Sequence, residues 1–380
     1  MRALLTIVAL LLADGAAGSN YLLPPVEFDL VGDIQVVEAR QEDTLLDIAR
    51  RYGIGQEAIV RANPELDRWL PGQGTAVTLP LRHILPPPPR QGLILNLPEM
   101  RLYYFPEPEQ GQPREVQIYA VSIGRMDWAT PLGETKLVSK QENPAWRPPE
   151  SIREEHAAAG DPLPSIVPPG PDNPLGNYAL RLGIPGYLIH GTNKAFGVGM
   201  RVSHGCIRML PEDIESLYPQ LPVGTPVRII NQFVKAGWYG GDLYLEVHPP
   251  LEEDQDGRDQ LFETVLQVIE DEGLDYMVML GVDMGAEMSN PHCPWGADFS
   301  DESGLQAPLV TAVTAGEIFM ELRQQLQRSV HRRLLILQRR HCRFREHHRA
   351  LIESRRQCPH IPVKPRQLSA QTGIEAYTLQ

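Results

Sequence analysis

"HGTNKAFGVGMRVSHGCIRM", His190 to Met209, is the stretch on which the reading of this chain turns. It opens on a histidine that closes the apolar run Tyr187-Leu188-Ile189. It ends around a cysteine, Cys206, set between Ser203-His204-Gly205 and Ile207-Arg208. A thiol becomes a strong nucleophile when a nearby cation or aligned donor stabilises its thiolate. Arg208 stands two residues after Cys206 and His204 two residues before it. Residues i and i+2 share one face of a strand, so an extended segment would project all three together. Gly205 permits close backbone approach, and a backbone N–H beside it suits an oxyanion. His190, sixteen residues upstream of Cys206, closes a strand and opens a glycine-containing loop. Such a histidine can return to the cysteine across a neighbouring strand, which is the base–nucleophile pairing of acyl transfer. Arg208 does not titrate and suits a carboxylate or neighbouring backbone rather than proton transfer.

The rest of the cysteine inventory sharpens this. Cys206, Cys293, Cys342 and Cys358 are too few and too irregularly spaced for a disulfide scaffold. Cys342 and Cys358 are able to pair with each other, whereas Cys206 is isolated and reads as a free thiol. Two other chemistries compete for it. A zinc site from His190, His204 and Cys206 would lack the spacings of common zinc motifs. Disulfide exchange would need a C-x-x-C, which is missing.

The N-terminus bears on the compartment. Met1-Arg2 precedes the short apolar run "ALLTIVALLLA" and the small residues of "DGAAGS". That pattern reads as a secretory signal peptide over 1–18, cut near Ala17 or Gly18, and implies a soluble protein exported to the periplasm. The net charge of −13 conceals an asymmetry. Between Arg323 and Arg366, thirteen Lys and Arg face two acids, which leaves −24 on the remainder. An acidic body argues against nucleic acid as a partner, and the basic tail reads as a solvated extension.

Working outward, residues 34–81 read as a strand, two helices and a closing strand. Thr44 is placed to cap a helix carrying Leu45, Leu46, Ile48 and Ala49, ending at Gly53. A second helix over Gln56 to Asn63 stops before Pro64, and "LPGQ" turns into a strand. Residues 82–91 hold four consecutive prolines and read as a stiff linker. Residues 92–231 alternate apolar and polar side chains in β-branched and aromatic runs. "LILNLPEMRLYYF" and "YALRLGIPGYLIHG" are strand pairs, "LPEDIESLYPQL" is a short helix and "GTPVRII" a last strand. The fold class is therefore mostly β. Residues 232–380 form a C-terminal extension, partly helical, in which "DQLFETVLQVIEDEG" is amphipathic.

Two resemblances follow from these motifs. "DTLLDIARRYG", Ile59 with Ala62-Asn63, and "LPGQGTAVTLP" resemble the LysM module, a small βααβ domain. That resemblance implies binding to N-acetylglucosamine-containing glycan. "HGTNKAFGVGMRVSHGCIRM", preceded in order by "SIGR", "TPLGE", "NPAWRPP" and "GPDNPLGNYAL", resembles the L,D-transpeptidase catalytic domain. It implies a β-sandwich-like catalytic domain with Cys206 as nucleophile and His190 as proton donor and acceptor. The Gly191 carbonyl would orient His190, while Ser203, His204, Gly205 and Arg208 shape the site. The implied partners are peptidoglycan stem peptides and glycan, with no metal or organic cofactor. The module order favours the lysine of the major outer-membrane lipoprotein as acyl acceptor over a second stem peptide and a 3→3 cross-link. The rival reading is a non-catalytic peptidoglycan-binding envelope protein with a structural "SHGC".

Overall fold

The computed structural model describes residues 18–25 and 28–272, together with the backbone of 310–312. Residues 1–17 of the stretch read as a leader over 1–18, Cys293, Cys342, Cys358 and the basic tail lie outside the described residues.

The first elements are β1 (Ser19–Leu22), β2 (Leu30–Val31), β3 (Ile34–Glu38), α1 (Leu45–Arg51), α2 (Gln56–Ala62), β4 (Ala76–Pro80) and β5 (His83–Ile84). Strands β3 and β4 pair antiparallel, Ile34 opposite Pro80 through Glu38 opposite Ala76. Thr44 caps α1 through its Oγ1, which accepts from the Asp47 N–H at 3.1 Å, while Asp47 Oδ2 accepts from the Thr44 N–H at 3.0 Å. This reciprocal box satisfies two helix-end donors, an arrangement worth about 1 kcal/mol. Leu45, Ile48, Ala49 and Ile59 of the two helices pack with Val77 and Leu79 of β4 into a small core. Asn63 locks it: its side chain donates to the carbonyls of Ile59 and Thr78 and accepts from the Thr78 N–H. The βααβ unit is therefore present as the sequence reads.

The larger region comprises β6 (Gly92–Asn96), β7 (Arg101–Phe105), β8 (Glu115–Gly124), β9 (Gly133–Glu142), α3 (Glu150–Ala158), β10 (Tyr178–Leu182), β11 (Leu188–His190), β12 (Arg201–Ser203), β13 (Ile207–Met209), α4 (Pro211–Leu217) and β14 (Pro226–Ile230). The strands run β8-β13-β11-β10-β9-β14-β6-β7, and β7 pairs back onto β8, so the sequence of pairings closes on itself. Inward side chains from nearly every strand meet in one core, among them Leu93, Leu102, Val121, Leu137, Leu180, Ile189, Ile207, Met209 and Val227. Helix α4 covers it with Ile214 and Leu217, and Pro211 at its start needs no N–H there. The fold is mostly β.

Beyond this lie β15 (Val234–Tyr239), β16 (Asp242–Val247), α5 (Gln255–Asp259), α6 (Leu261–Asp271) and β17 (Val310–Ala312). Here the packing ties together segments that the sequence reads as separate. Residues 82–91, read as a stiff linker, include β5, which pairs with β2, and the buried Ile84 and Leu85. The opening of the C-terminal extension is a hairpin, β15–β16, that reaches the same segment. The Ile84 N–H donates to Glu246 of β16 at 2.9 Å, and Lys235 of β15 donates to the Ile84 carbonyl. A buried charge cluster makes the joint. Lys235 sits 2.8 Å from Glu99 and 3.0 Å from Glu246, and Arg101 sits 2.8 Å and 2.7 Å from the same two carboxylates. Two cations balance two anions, with Tyr103 and His248 completing the hydrogen bonds. Burial holds His83 well below the usual imidazole range and His248 below it, so both imidazoles are neutral beside the paired charges.

Candidate active site

The parallel pairing of β11 with β13 sets Ile189 opposite Ile207 and His190 opposite Arg208. His190 closes β11, and Cys206 immediately precedes β13. A histidine and a cysteine sixteen residues apart thus reach neighbouring strands at one edge of the core, as the sequence pattern requires.

His190 is buried at 4% exposure. Its Nδ1 lies 2.6 Å from the Gly191 carbonyl oxygen. With Nδ1 donating, the ring keeps its lone pair on Nε2, the form a general base needs. Burial, then the Arg208 cation, push its pKa down to about 4 against the favourable carbonyls of Gly191 and Leu175. The imidazole is therefore neutral at neutral pH. Cys206 is half-buried and free. Its Sγ donates to the Gly186 carbonyl at 3.6 Å, and burial raises its pKa against the Leu188 backbone and the Arg208 and Arg181 cations. At neutral pH burial thus favours the uncharged form of both groups, thiol and imidazole.

The turn before Cys206 departs from the extended segment considered above. Strand β12 stops at Ser203 and β13 starts at Ile207. Between them Gly205 takes φ +92, where a Cβ would meet the Tyr187 ring at 2.9 Å. The kink separates the side chains. His204 turns to Glu155 of α3, Nε2 to Oε2 at 3.0 Å, and packs edge-on against Trp128 with centroids 5.3 Å apart. The ligand atoms of His190, His204 and Cys206 do not converge, and among the described residues the one His/carboxylate cluster tight enough for a cation is Glu99, Glu246 and His248, already filled by Arg101 and Lys235. Ser203 Oγ donates to the Cys206 carbonyl, and Thr130 Oγ1 donates to the Gly205 carbonyl at 3.0 Å. These bonds fix the backbone around Cys206. Arg208 is partly buried, and its Nε has no hydrogen-bond partner among the described residues. The Arg208 cation acts to lower the pKa of both His190 and Cys206.

Two features escape the sequence reading. The first is Glu155, which holds His204 and pairs with Arg125 at 2.5 Å. Its helix belongs to the long segment between β9 and β10, which Asn173 knots through bonds to the carbonyls of Pro144 and Pro168. Nothing in the spacing of Arg125, Glu155 and His204 foretells the cluster. The second is the docking of the small module onto the loop between His190 and Cys206. The N–H groups of Gln56 and Glu57, at the start of α2, donate to the carbonyls of Val198 and Gly199, each at 3.2 Å. Arg50 of α1 reaches Glu212 of α4 with two bonds, 2.8 and 3.1 Å.

The domain is thus β-rich, with a buried, oriented imidazole at the end of one strand and a thiol just before the parallel strand beside it. Family models place it further. Residues 90–229 match the L,D-transpeptidase catalytic domain and residues 38–68 the LysM domain. Three relatives from Escherichia coli K12 are similar over most of their length. "Probable L,D-transpeptidase YcfS" is 41% identical over 265 residues, 68% of this chain and 81% of the relative. "Probable L,D-transpeptidase YbiS" is 42% identical over 62% of this chain and 77% of the relative. "Probable L,D-transpeptidase ErfK/SrfK" is 43% identical over 61% and 74%. The chain belongs to the L,D-transpeptidase family of enzymes and carries a LysM domain.

Proposed function

We propose that this enzyme transfers the acyl group of a peptidoglycan tetrapeptide stem through a thioester on Cys206. The observation that carries the proposal is the neutral, Nδ1-anchored His190 on the strand beside the one leading from Cys206. His190 Nε2 takes the thiol proton as sulfur attacks the carbonyl of the stem's meso-diaminopimelate. The C–N bond to terminal D-alanine breaks, and the imidazolium returns the proton to the leaving amine. An acceptor amine then attacks the thioester, loses its proton to His190 and displaces the thiolate. Arg208, with its unfilled donor, holds a substrate carboxylate. The favoured acceptor is the C-terminal lysine of the outer-membrane lipoprotein, with a second stem peptide as the other. The LysM domain holds the glycan, and the N-terminal leader directs the protein to the periplasm. No resident metal or cofactor enters the scheme.

Mass spectrometry of muropeptides incubated with purified enzyme, with and without lipoprotein, tests this directly. D-Alanine release and a mass adduct on Cys206 are expected. Absence of both sinks the proposal, and D-alanine release without lipoprotein attachment assigns the stem peptide as acceptor.

A further inference from the structure

Asp213, the third residue of α4, is fully buried. Neither carboxyl oxygen has a hydrogen-bond partner among the described residues. Folded proteins rarely leave a carboxyl in that state, because the charged form loses its water and gains nothing. Its neighbours do not explain it. Glu212 carries the same charge, and Arg50 is committed to Glu212 through both its bonds. The Tyr119 hydroxyl donates to Gln117 at 2.6 Å. Burial and Glu212 push Asp213 up to about 8, while the Gly18 backbone N–H and Arg50 pull the other way. The Gly18 backbone N–H is thus near enough to favour the charged carboxyl, short of an ordinary hydrogen bond.

Gly18 is the residue before β1, where Ser19 pairs with Ile118 of β8. A Cβ at this position would lie 2.3 and 2.4 Å from the Tyr119 ring and 2.8 Å from the Ile118 carbonyl. The site admits glycine alone. Gly18 also follows one of the two bonds at which the sequence ends the leader, with the small residues Gly15 and Ala17 at the positions a leader peptidase reads.

We propose that the leader is cut between Ala17 and Gly18, and that the new α-ammonium of Gly18 becomes the ion-pair partner of the buried Asp213 carboxylate. The inference rests on the export reading above. Peptidase-catalysed hydrolysis consumes one water, breaks the Ala17–Gly18 C–N bond, and leaves a carboxylate on Ala17 and an ammonium on Gly18. A peptide N–H offers one hydrogen in a fixed plane. An ammonium offers three, turns about its N–Cα bond and brings a full positive charge. Cutting after Gly18 instead would discard the nitrogen that faces Asp213. Because α4 follows β13 after Leu210 alone, the pair would tie the mature terminus to the strand that Cys206 precedes.

The test uses four otherwise full-length chains: one starting at Gly18, one at Ala17, and each with Asp213→Asn. A cleavable fusion generates the termini, and intact mass verifies them. The Gly18 chain is expected to melt on the order of 5–10 °C above the Ala17 chain, and Asp213→Asn to erase the difference. Equal melting of the two starting chains, or the same difference with Asp213→Asn in both, overturns the pair. If Asp213→Asn does not fold, labelling decides. An amine-reactive acyl ester should modify Gly18 at least tenfold more slowly in the folded chain than in urea, and equal rates overturn the pair. Intact mass and cell fraction of the chain recovered after expression with its leader separate the two readings. A retained leader or removal at another bond overturns the processing site, whereas recovery of the protein in the cytoplasmic fraction alone sinks export.

Discussion

The Nδ1 of His190 lies 2.6 Å from the carbonyl of Gly191, the next residue in its own chain. The ring is thus oriented by a backbone carbonyl rather than, among the described residues, by an acidic side chain. Burial and Arg208 hold this imidazole near 4. A lowered histidine pKa keeps the base form present above that value and loses it only as pH falls through about 4. Single-turnover acylation of Cys206 by a tetrapeptide stem should therefore show its acid limb near pH 4. A limb at 6–7, the range of an ordinary imidazole, would contradict the assignment of His190 as the base in its observed environment.

Replacing Cys206 with alanine should abolish thioester formation. Replacing His190 with alanine should slow acylation by about 10³-fold or more, since nucleophile and base act as a unit. The double variant should be no worse than Cys206→Ala alone. Full transpeptidation by Cys206→Ala would overturn Cys206 as the nucleophile, and no transpeptidation by the unaltered chain would support the non-catalytic reading.

Glu155 acts on the site through His204. Glu155→Ala should lower the acylation rate about tenfold by freeing the imidazole that packs on Trp128. Melting temperature should hardly change, because the Glu155 pairs are solvent-exposed. Glu155→Gln, which keeps a hydrogen bond to His204, should recover part of the rate. Unchanged rates in both variants would reduce the contact to surface decoration.

The Lys235 cluster should respond in the opposite way. Lys235→Met leaves Glu99 and Glu246 sharing only Arg101, and should destabilise the protein by about 3–5 kcal/mol. It lies away from Cys206, so the acylation rate of the folded fraction should be retained. Denaturant unfolding read against carbapenem titration distinguishes the two.

Gly199 has φ +87, and a Cβ there would lie 2.3 Å from the Gly55 Cα. Gly199→Ala should therefore cost about 1–3 kcal/mol through strain at the contact with α2. It should also slow acylation, because the same loop runs from His190 to Cys206. A variant of wild-type stability would show that the module does not grip that loop.

The elements that sequence reading recovers are those specified locally. Thr44 and Asp47 stand three apart and cap a helix, Pro211 opens another, and Gly-Ile-Pro-Gly turns β10 into β11. Cys206 and His190 are legible because their motif is contiguous. Contacts set by tertiary approach are not. Glu155 meets His204 across 49 residues and Arg50 meets Glu212 across 162, and no periodicity encodes either. The conformation of "SHGC" departs from an extended reading for a local reason. A glycine within an otherwise strand-forming run is free to turn left-handed, and Gly205 does so to clear Tyr187.

The proline-rich stretch between the two domains has a consequence for how the molecule comes apart. Its residues Ile84 and Leu85 are buried, and its backbone is bonded to β2, Glu246 and Lys235. A protease that seeks slack connections should find none there, and neither domain has a free hinge at that junction. Glycan domain and thiol domain should unfold in one transition, so that a glycan strand gripped by the first sits at a constant reach from the second.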